Sequence, residues 1–295
     1  MIKYNLKQMT AITRKDNQTQ RPMTTLGMTI NKLMHILNGN KKKQSNGLKV
    51  GSWNCDRAFI TKEKKSELEA HMNKLKLDIC FVSEVTATKT RFHEDHLHKI
   101  KGYKNLFPNS WNKHGHARSV LYIKNNIANR VTILREKMTN DQPDFWLKMT
   151  LKTPGEPKQK VTFGFYYREW KGAFSGDNST AGQGDRLKAF VDTAEVFAEK
   201  GELWILGDIN VDWNKITKNG NLNEIEEKWK TFVESSGLTQ LIRKKTRERI
   251  VAGNAQTSII DHLITNRDDL ASKIKVIDTS TSDRRHQDIK LKVRA

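Results

Sequence analysis

The alternation of hydrophobic and polar positions divides the chain into a polar leader and a body of strand-like and helix-like segments. Leu48–Trp53 predicts a strand, Lys62–Leu75 a helix and Asp78–Val82 a buried strand. Ser119–Ile123, Phe145–Leu151 and Val161–Tyr167 predict three further strands. The two-residue alternation across Lys160–Tyr167 marks a half-buried sheet. Asp185–Lys200 puts Leu187, Phe190, Val191, Ala194 and Phe197 on one helical face, then runs into a short apolar strand, Glu202–Leu206. Glu224–Ser236 predicts another helix, stopped at Gly237, and Ser258–Ile264 and Ile289–Val293 close the series as strands. Strands outnumber helices, and there is no nucleotide-binding glycine loop and no internal repeat. The expectation is an α/β fold of two packed sheets flanked by helices.

The leader, residues 1–47, has a different texture. It carries nine Lys and Arg against Asp16 alone. One amphipathic stretch, Thr29–Leu37, is long enough for two helical turns before Asn38-Gly39-Asn40 stops it. Too polar to build a core, the leader reads as a flexible basic arm ahead of a single domain at 48–295. Such an arm would attract phosphates or serve nuclear import; a plain upstream linker is the alternative.

Charge sharpens this division. The 295 residues carry 53 Lys and Arg against 33 Asp and Glu, a formal net charge of +20. An excess of that size repels itself in a compact chain and fits a polyanionic partner, with a merely solvated basic surface as the alternative. Seven Trp and eleven Phe provide for a sizeable core. Cys55 and Cys80 lie inside apolar runs and read as reduced core thiols, in a nuclear or cytoplasmic protein. No apolar run reaches 18 residues and the first 20 residues lack an apolar stretch, so neither a membrane span nor a secretory signal is expected.

Chemically versatile residues collect where apolar strands end. Trp53-Asn54-Cys55-Asp56 follows the first strand, Ser83-Glu84 follows the second, and Gly207-Asp208-Ile209-Asn210-Val211-Asp212 follows Leu203–Leu206. Ile260-Asp261-His262 lies within a strand-like run, and Asp283-Arg284-Arg285-His286 precedes the last one. Taken singly, each has an ordinary explanation: Asn54 as a turn cap, Glu84 as an exposed turn, Asp208 in a Gly-Asp turn, His286 on a charged surface. Several carboxylates at the ends of core strands, taken together, point to a bound cation.

The ordered set Trp-Asn, Glu, Gly-Asp-x-Asn, Ile-Asp-His and Asp-x-x-His-x-x-Ile resembles the endonuclease/exonuclease/phosphatase superfamily over Leu48 to Val293. Trp204–Asn210 is its most specific piece and Ser258–His262 the next. A finer resemblance is to the AP-endonuclease-like domains of LINE-type (non-LTR) retrotransposons. It rests on Tyr167-Arg168-Glu169-Trp170, on Ser179-Thr180 with Gln183 and Arg186-Leu187, and on Thr246-Arg247.

The resemblance implies a four-layer α/β sandwich with Mg²⁺ or Mn²⁺ at one end of the two sheets. Glu84 would be the principal metal ligand, supported by Asn54, Asp56 and Asp283. Asp208 would orient and deprotonate a water, and Asn210 would donate its amide to a phosphate oxygen. His286, held cationic by Asp261, would stabilise charge on phosphorus. Tyr167 would donate a further hydrogen bond, with Tyr166 the competing choice. Arg168, Trp170, Lys171 and Trp213 would contact DNA phosphates or wedge a base step, although Trp213 reads equally as a core residue.

One segment departs from the family pattern of Ser-Asp-His followed, after two residues, by an apolar strand. In one register His286 keeps its place three residues before Ile289 and Arg285 takes the adjacent acidic position. In the other, Ser282-Asp283 keep theirs and Arg284, which cannot exchange a proton near neutral pH, takes the histidine's. The alternation of Ile289, Leu291 and Val293 favours the first. Lipid, inositol-phosphate and RNA enzymes share the superfamily, but the basic arm and Tyr-Arg-Glu-Trp favour DNA. The expected function is a metal-dependent DNA endonuclease that nicks target DNA and leaves a 3′-OH for reverse transcription, within a larger reverse-transcriptase polyprotein. The rivals are a stand-alone abasic-site or repair nuclease and a degenerate nucleic-acid-binding module.

Overall fold

The computed structural model describes residues 47–55, 62–88, 99–139, 142–151, 158–169, 179–218, 220–251, 254–277 and 286–291. The expected basic arm therefore lies, but for Gly47, outside the described residues. Among these, fourteen strands are β1 (Lys49–Asn54), β2 (Ile79–Thr88), β3 (Tyr103–Leu106), β4 (His116–Lys124), β5 (Val131–Ile133), β6 (Asp144–Leu151), β7 (Gln159–Tyr167), β8 (Glu202–Asp208), β9 (Thr239–Gln240), β10 (Arg247–Val251), β11 (Asn254–Ser258), β12 (Asp261–Thr265), β13 (Ala271–Ile277) and β14 (His286–Leu291). The α-helices are α1 (Lys62–Leu75), α2 (Asn109–His114), α3 (Thr180–Lys200), α4 (Trp213–Thr217) and α5 (Glu224–Ser235).

Two six-stranded mixed sheets form the body. The first has the order β13-β14-β1-β2-β4-β3, the second β5-β6-β7-β8-β12-β9, and β10-β11 makes a separate hairpin. Period-two alternation decides what each strand face meets. On β2, Phe81 faces the second sheet, with ring centroids 6.0 Å from Phe145 and 5.6 Å from Phe165. Its neighbours Cys80 and Val82 share the other core, with Trp53 of β1 and with Leu68 and Met72 of α1. On β7, Phe163 and Phe165 face the first sheet, whereas Tyr166 stacks on Phe190 of α3 at 4.3 Å. Trp146 of β6 stacks on the same ring at 4.9 Å. The layers are α1, first sheet, second sheet, and α3 with α5, as the family pattern implies. No helix among the described residues is long and apolar enough to cross a membrane.

The elements differ from the sequence reading mostly at their ends. α3 begins five residues before Asp185, because Ser179 caps it by accepting from Gly182 N at 3.0 Å. Its first turn is small and polar, so no apolar period announces it. β2 continues past Val82 to Thr88. Ser258 belongs to β11, paired with Arg247, and β12 starts at Asp261. β14 begins at His286, three residues before Ile289. β3, β5, β9, β10 and the short helices α2 and α4 are short or carry too few apolar residues to have been predicted, and β13 was missed although Ile274 and Val276 alternate with lysines.

Candidate active site

Strand direction gathers the chemistry. β1 and β2 are parallel, so Asn54 lies opposite Ser83, next to Glu84. β14 runs antiparallel to β1, pairing Gln287 with Ser52, and this register brings the backbone of His286 to the same edge. In the second sheet, parallel β7 and β8 set Tyr167 opposite Asp208, and antiparallel β12 sets Asp261 opposite Asp208. Hence residues 54, 84, 167, 208, 261 and 286 reach one end of the sandwich.

One amide joins the sheets. Asn54 Nδ2 donates to Glu84 Oε1 and to Asp208 Oδ2, each at 2.7 Å. Asn54 and Asp208 are fully buried. The backbone is bent to make this possible. Glu84 has φ +57° at a register break in β2 between Ser83 and Ala87, a bulge that re-aims its side chain. A left-handed Glu costs on the order of 1–3 kcal/mol, strain of a kind that concentrates at functional sites. Asn210 is left-handed too, φ +53°, which Asn tolerates well. Gly207, at φ +146°, is required: a Cβ there would lie 1.9 Å from Tyr166 O. The turn is completed by Asn210 N donating to Asp208 Oδ1 at 3.1 Å.

Tyr167, not Tyr166, faces this cluster; Tyr166 is in the α3 layer. Burial first, then the Glu84 and Asp208 carboxylates, hold the Tyr167 phenol well above its ordinary pKa, so it stays protonated. Arg168 departs from expectation. It is 2% exposed, and it donates from Nε to Ile209 O at 2.6 Å, from Nη2 to Asn210 O at 2.7 Å and from Nη1 to Gln183 Oε1 at 2.8 Å. Its guanidinium braces the Asp208–Asn210 turn rather than presenting itself to a phosphate. Asn210 returns a bond, Nδ2 to Arg168 O at 2.8 Å, which commits one of its two amide hydrogens.

Trp213 is likewise core-packed. It lies half-buried against the main core, edge-on to His262 at 5.7 Å. His262 accepts from Trp229 Nε1 at Nδ1 (2.9 Å), so its Nε2 donates to Val211 O (2.9 Å). Burial pushes its pKa down to about 4 and leaves it a neutral structural strut. Thr246 Oγ1 accepts from Ile260 N and Asp261 N, both at 3.1 Å, and sets the start of β12. Asp56, Trp170, Lys171 and Asp283 lie outside the described residues. Arg118 and Glu169, which pair at 2.8 Å beside Tyr167, were not predicted; a charge in the strand text around Arg118 gives no signal.

The solved endonuclease domain of TRAS1, a telomere-specific non-LTR retrotransposon, superposes with a TM-score of 0.62. The match is 15% identical and covers 84% of this chain and 100% of that one. The AP endonuclease LMAP from Leishmania major superposes with a TM-score of 0.60 at 13% identity, covering 84% of this chain and 89% of its own. The chain has the endonuclease/exonuclease/phosphatase fold. No family model matches the sequence, and no curated protein matches it. The likeness is carried by architecture, at identities too low for sequence comparison alone.

In this fold the sheet ends open into a cleft of about 970 Å³, whose lining includes Glu84, Tyr167 and Asn210 together with Lys215, Arg247 and Gln256. Among the described residues, no three His, Cys, Asp or Glu side chains form a metal cage. The donors present nevertheless fit a hard cation of the Mg²⁺ type, which takes one or two carboxylates and completes its shell with water and phosphate oxygens. Glu84 is half-buried at the cleft. The Asn54 nitrogen is committed to two carboxylates, so any ligation by that residue would come through its carbonyl oxygen.

Proposed function

We propose that this chain is a metal-dependent DNA endonuclease that nicks target DNA and leaves a 3′-OH for reverse transcription, as one part of a larger polyprotein acting in the nucleus or cytoplasm. The observation that carries this reading is the Asn54 amide shared between Glu84 and Asp208 across the two sheets, with Tyr167 beside them in an open cleft. The fold it shares with a retrotransposon endonuclease domain supports it.

Glu84 and the Asn54 carbonyl would hold the cation, with Asp56 and Asp283 as further candidate ligands. Bound there, Mg²⁺ or Mn²⁺ supplies neutralisation of charge on the scissile phosphate and its leaving oxygen. Asp208, its two oxygens fixed by Asn210 N and Asn54 Nδ2, orients a water and takes its proton. The free hydrogen of the Asn210 amide and the Tyr167 hydroxyl donate to phosphate oxygens. His286, with Asp261 as its partner, stabilises the charge that develops on phosphorus. Trp170 and Lys171, next to the Tyr167 strand end, are proposed DNA contacts, and the basic leader adds sequence-independent attraction.

Nicking of supercoiled plasmid in Mg²⁺, compared with Asp208→Ala and with EDTA, tests this. Nicking by the wild type no faster than by Asp208→Ala sinks the enzyme and favours a DNA-binding module, the rival supported by the altered Asp283-Arg284-Arg285-His286 segment. If nicking occurs, His286→Ala lowers it by about 10²-fold or more, and unchanged activity would refute that residue's role. Preferential cutting of an abasic oligonucleotide would instead favour a repair nuclease.

A further inference from the structure

Arg118 sits on β4, in the first sheet, with its side chain partly exposed. Its Nε donates to Glu169 Oε1 at 2.8 Å and its Nη1 to Val85 O at 3.3 Å, and its charge lies close enough to the Tyr167 phenol to act on it. A guanidinium has only donors and keeps its charge at any relevant pH. Toward Arg118 the Tyr167 phenol oxygen can therefore only accept. The single hydrogen of that hydroxyl has to find its acceptor on another side, and Tyr167 lines the cleft beside Glu84.

The other two contacts decide how firmly Arg118 is held. Glu169 is 7% exposed at the end of the strand that carries Tyr167. Val85 follows Glu84 in the β2 bulge. One side chain thus ties the bulge of the first sheet to the Tyr167–Glu169 strand end of the second.

We infer that Arg118 is a positioning residue of the nuclease site: it turns the Tyr167 hydroxyl hydrogen toward a phosphate oxygen in the cleft and fixes the bulge that carries Glu84. This rests on the nuclease reading above. Arg118 acts through Tyr167 and Glu84, and Glu169 holds its guanidinium plane in place.

The test is plasmid-nicking kinetics, with thermal melts, on the wild type, Arg118→Ala, Arg118→Lys, Tyr167→Phe and the Arg118→Ala/Tyr167→Phe double variant. Arg118→Ala and Tyr167→Phe should each lower kcat by about 10²-fold while KM for DNA changes by less than about 3-fold. The double variant should be no slower than Tyr167→Phe by more than about 3-fold, because the two act as one unit. Arg118→Lys keeps the charge without the planar fork and should recover only part of the rate. A double variant whose loss is the product of the single losses overturns the inference, as does an Arg118→Ala loss confined to KM. A wild type that does not nick refutes the nuclease reading by itself. Crystal structures of the wild type and Arg118→Gln then decide the positioning: unmoved Tyr167 and Glu84 side chains overturn it, and displaced ones uphold it.

Discussion

β8 carries a buried carboxylate at each end, and the two are treated differently. Glu202 is furnished with local partners: Trp204 Nε1 donating at 2.8 Å, the Gln159 amide donating, and an ion pair with Arg267 Nη1 at 4.0 Å. Burial raises its pKa, and those donors work in the opposite direction. Asp208, six residues on, shares the Asn54 amide with Glu84 and lies opposite Asp261. A carboxylate with its own donors is a piece of structure. Carboxylates gathered around one amide in a buried place raise each other's free energy until positive charge joins them. The second arrangement is the one that chemistry needs.

Exchanging the charges breaks this comparison most sharply. Asp208→Asn should lower plasmid nicking by on the order of 10³-fold or more. It should leave the melting temperature unchanged or higher. Glu202→Gln should do the reverse, with nicking within about 3-fold of wild type and melting lowered by about 1–3 °C. Equal loss of activity from both would erase the distinction.

A smaller effect is expected at Gly207, where the strand bends into the site. Gly207→Ala drives a methyl group into Tyr166 O and should cost about 3 kcal/mol, read as a fall in denaturation midpoint together with weakened nicking. An alanine variant as stable as wild type would show that the turn has another conformation open to it.

Asp144 offers the gentlest test, because it resembles Glu202 although it lies on β6. Burial raises its pKa to about 7, against the opposing bonds from Thr139 N and Oγ1. The folded form keeps a proton that the unfolded chain releases near pH 4. Its contribution to stability is therefore full below about pH 4 and is lost as pH rises through about 7, a change of roughly 2–4 kcal/mol. Asp144→Asn should flatten that part of the stability–pH profile while nicking at a fixed pH stays within about 3-fold. An unchanged profile would place the proton elsewhere.

Much of the fold was legible because its central strands are buried on both faces and its main helices have one apolar side. The long apolar runs ending in Asn54, Glu84 and Asp208 marked the site edge, since a core strand has to stop before a charge can be accommodated. What could not be read was which polar residue looks inward. Arg168 and Arg118 are both arginines near the same edge. Only their surroundings, carbonyls of the Asp208–Asn210 turn for one and Glu169 with Tyr167 for the other, separate a brace from a positioning group. Trp213 packs on the core because His262 sits behind it, a contact between residues 49 positions apart. β10 and β11 pair with each other outside the main sheets, and the mostly exposed residues of β11 carry no period.

The order of the first sheet also has a consequence for when the molecule can work. β14, the last of the described strands in sequence, does not lie at the margin; it sits between β13 and β1, the strand that carries Asn54. On a ribosome, Asn54, Glu84, Tyr167, Asp208 and Asp261 all emerge before the strand that completes their frame. Until it docks, the edge of β1 is open and the cluster lacks its neighbour. A site framed this way is complete only once β14 is in place.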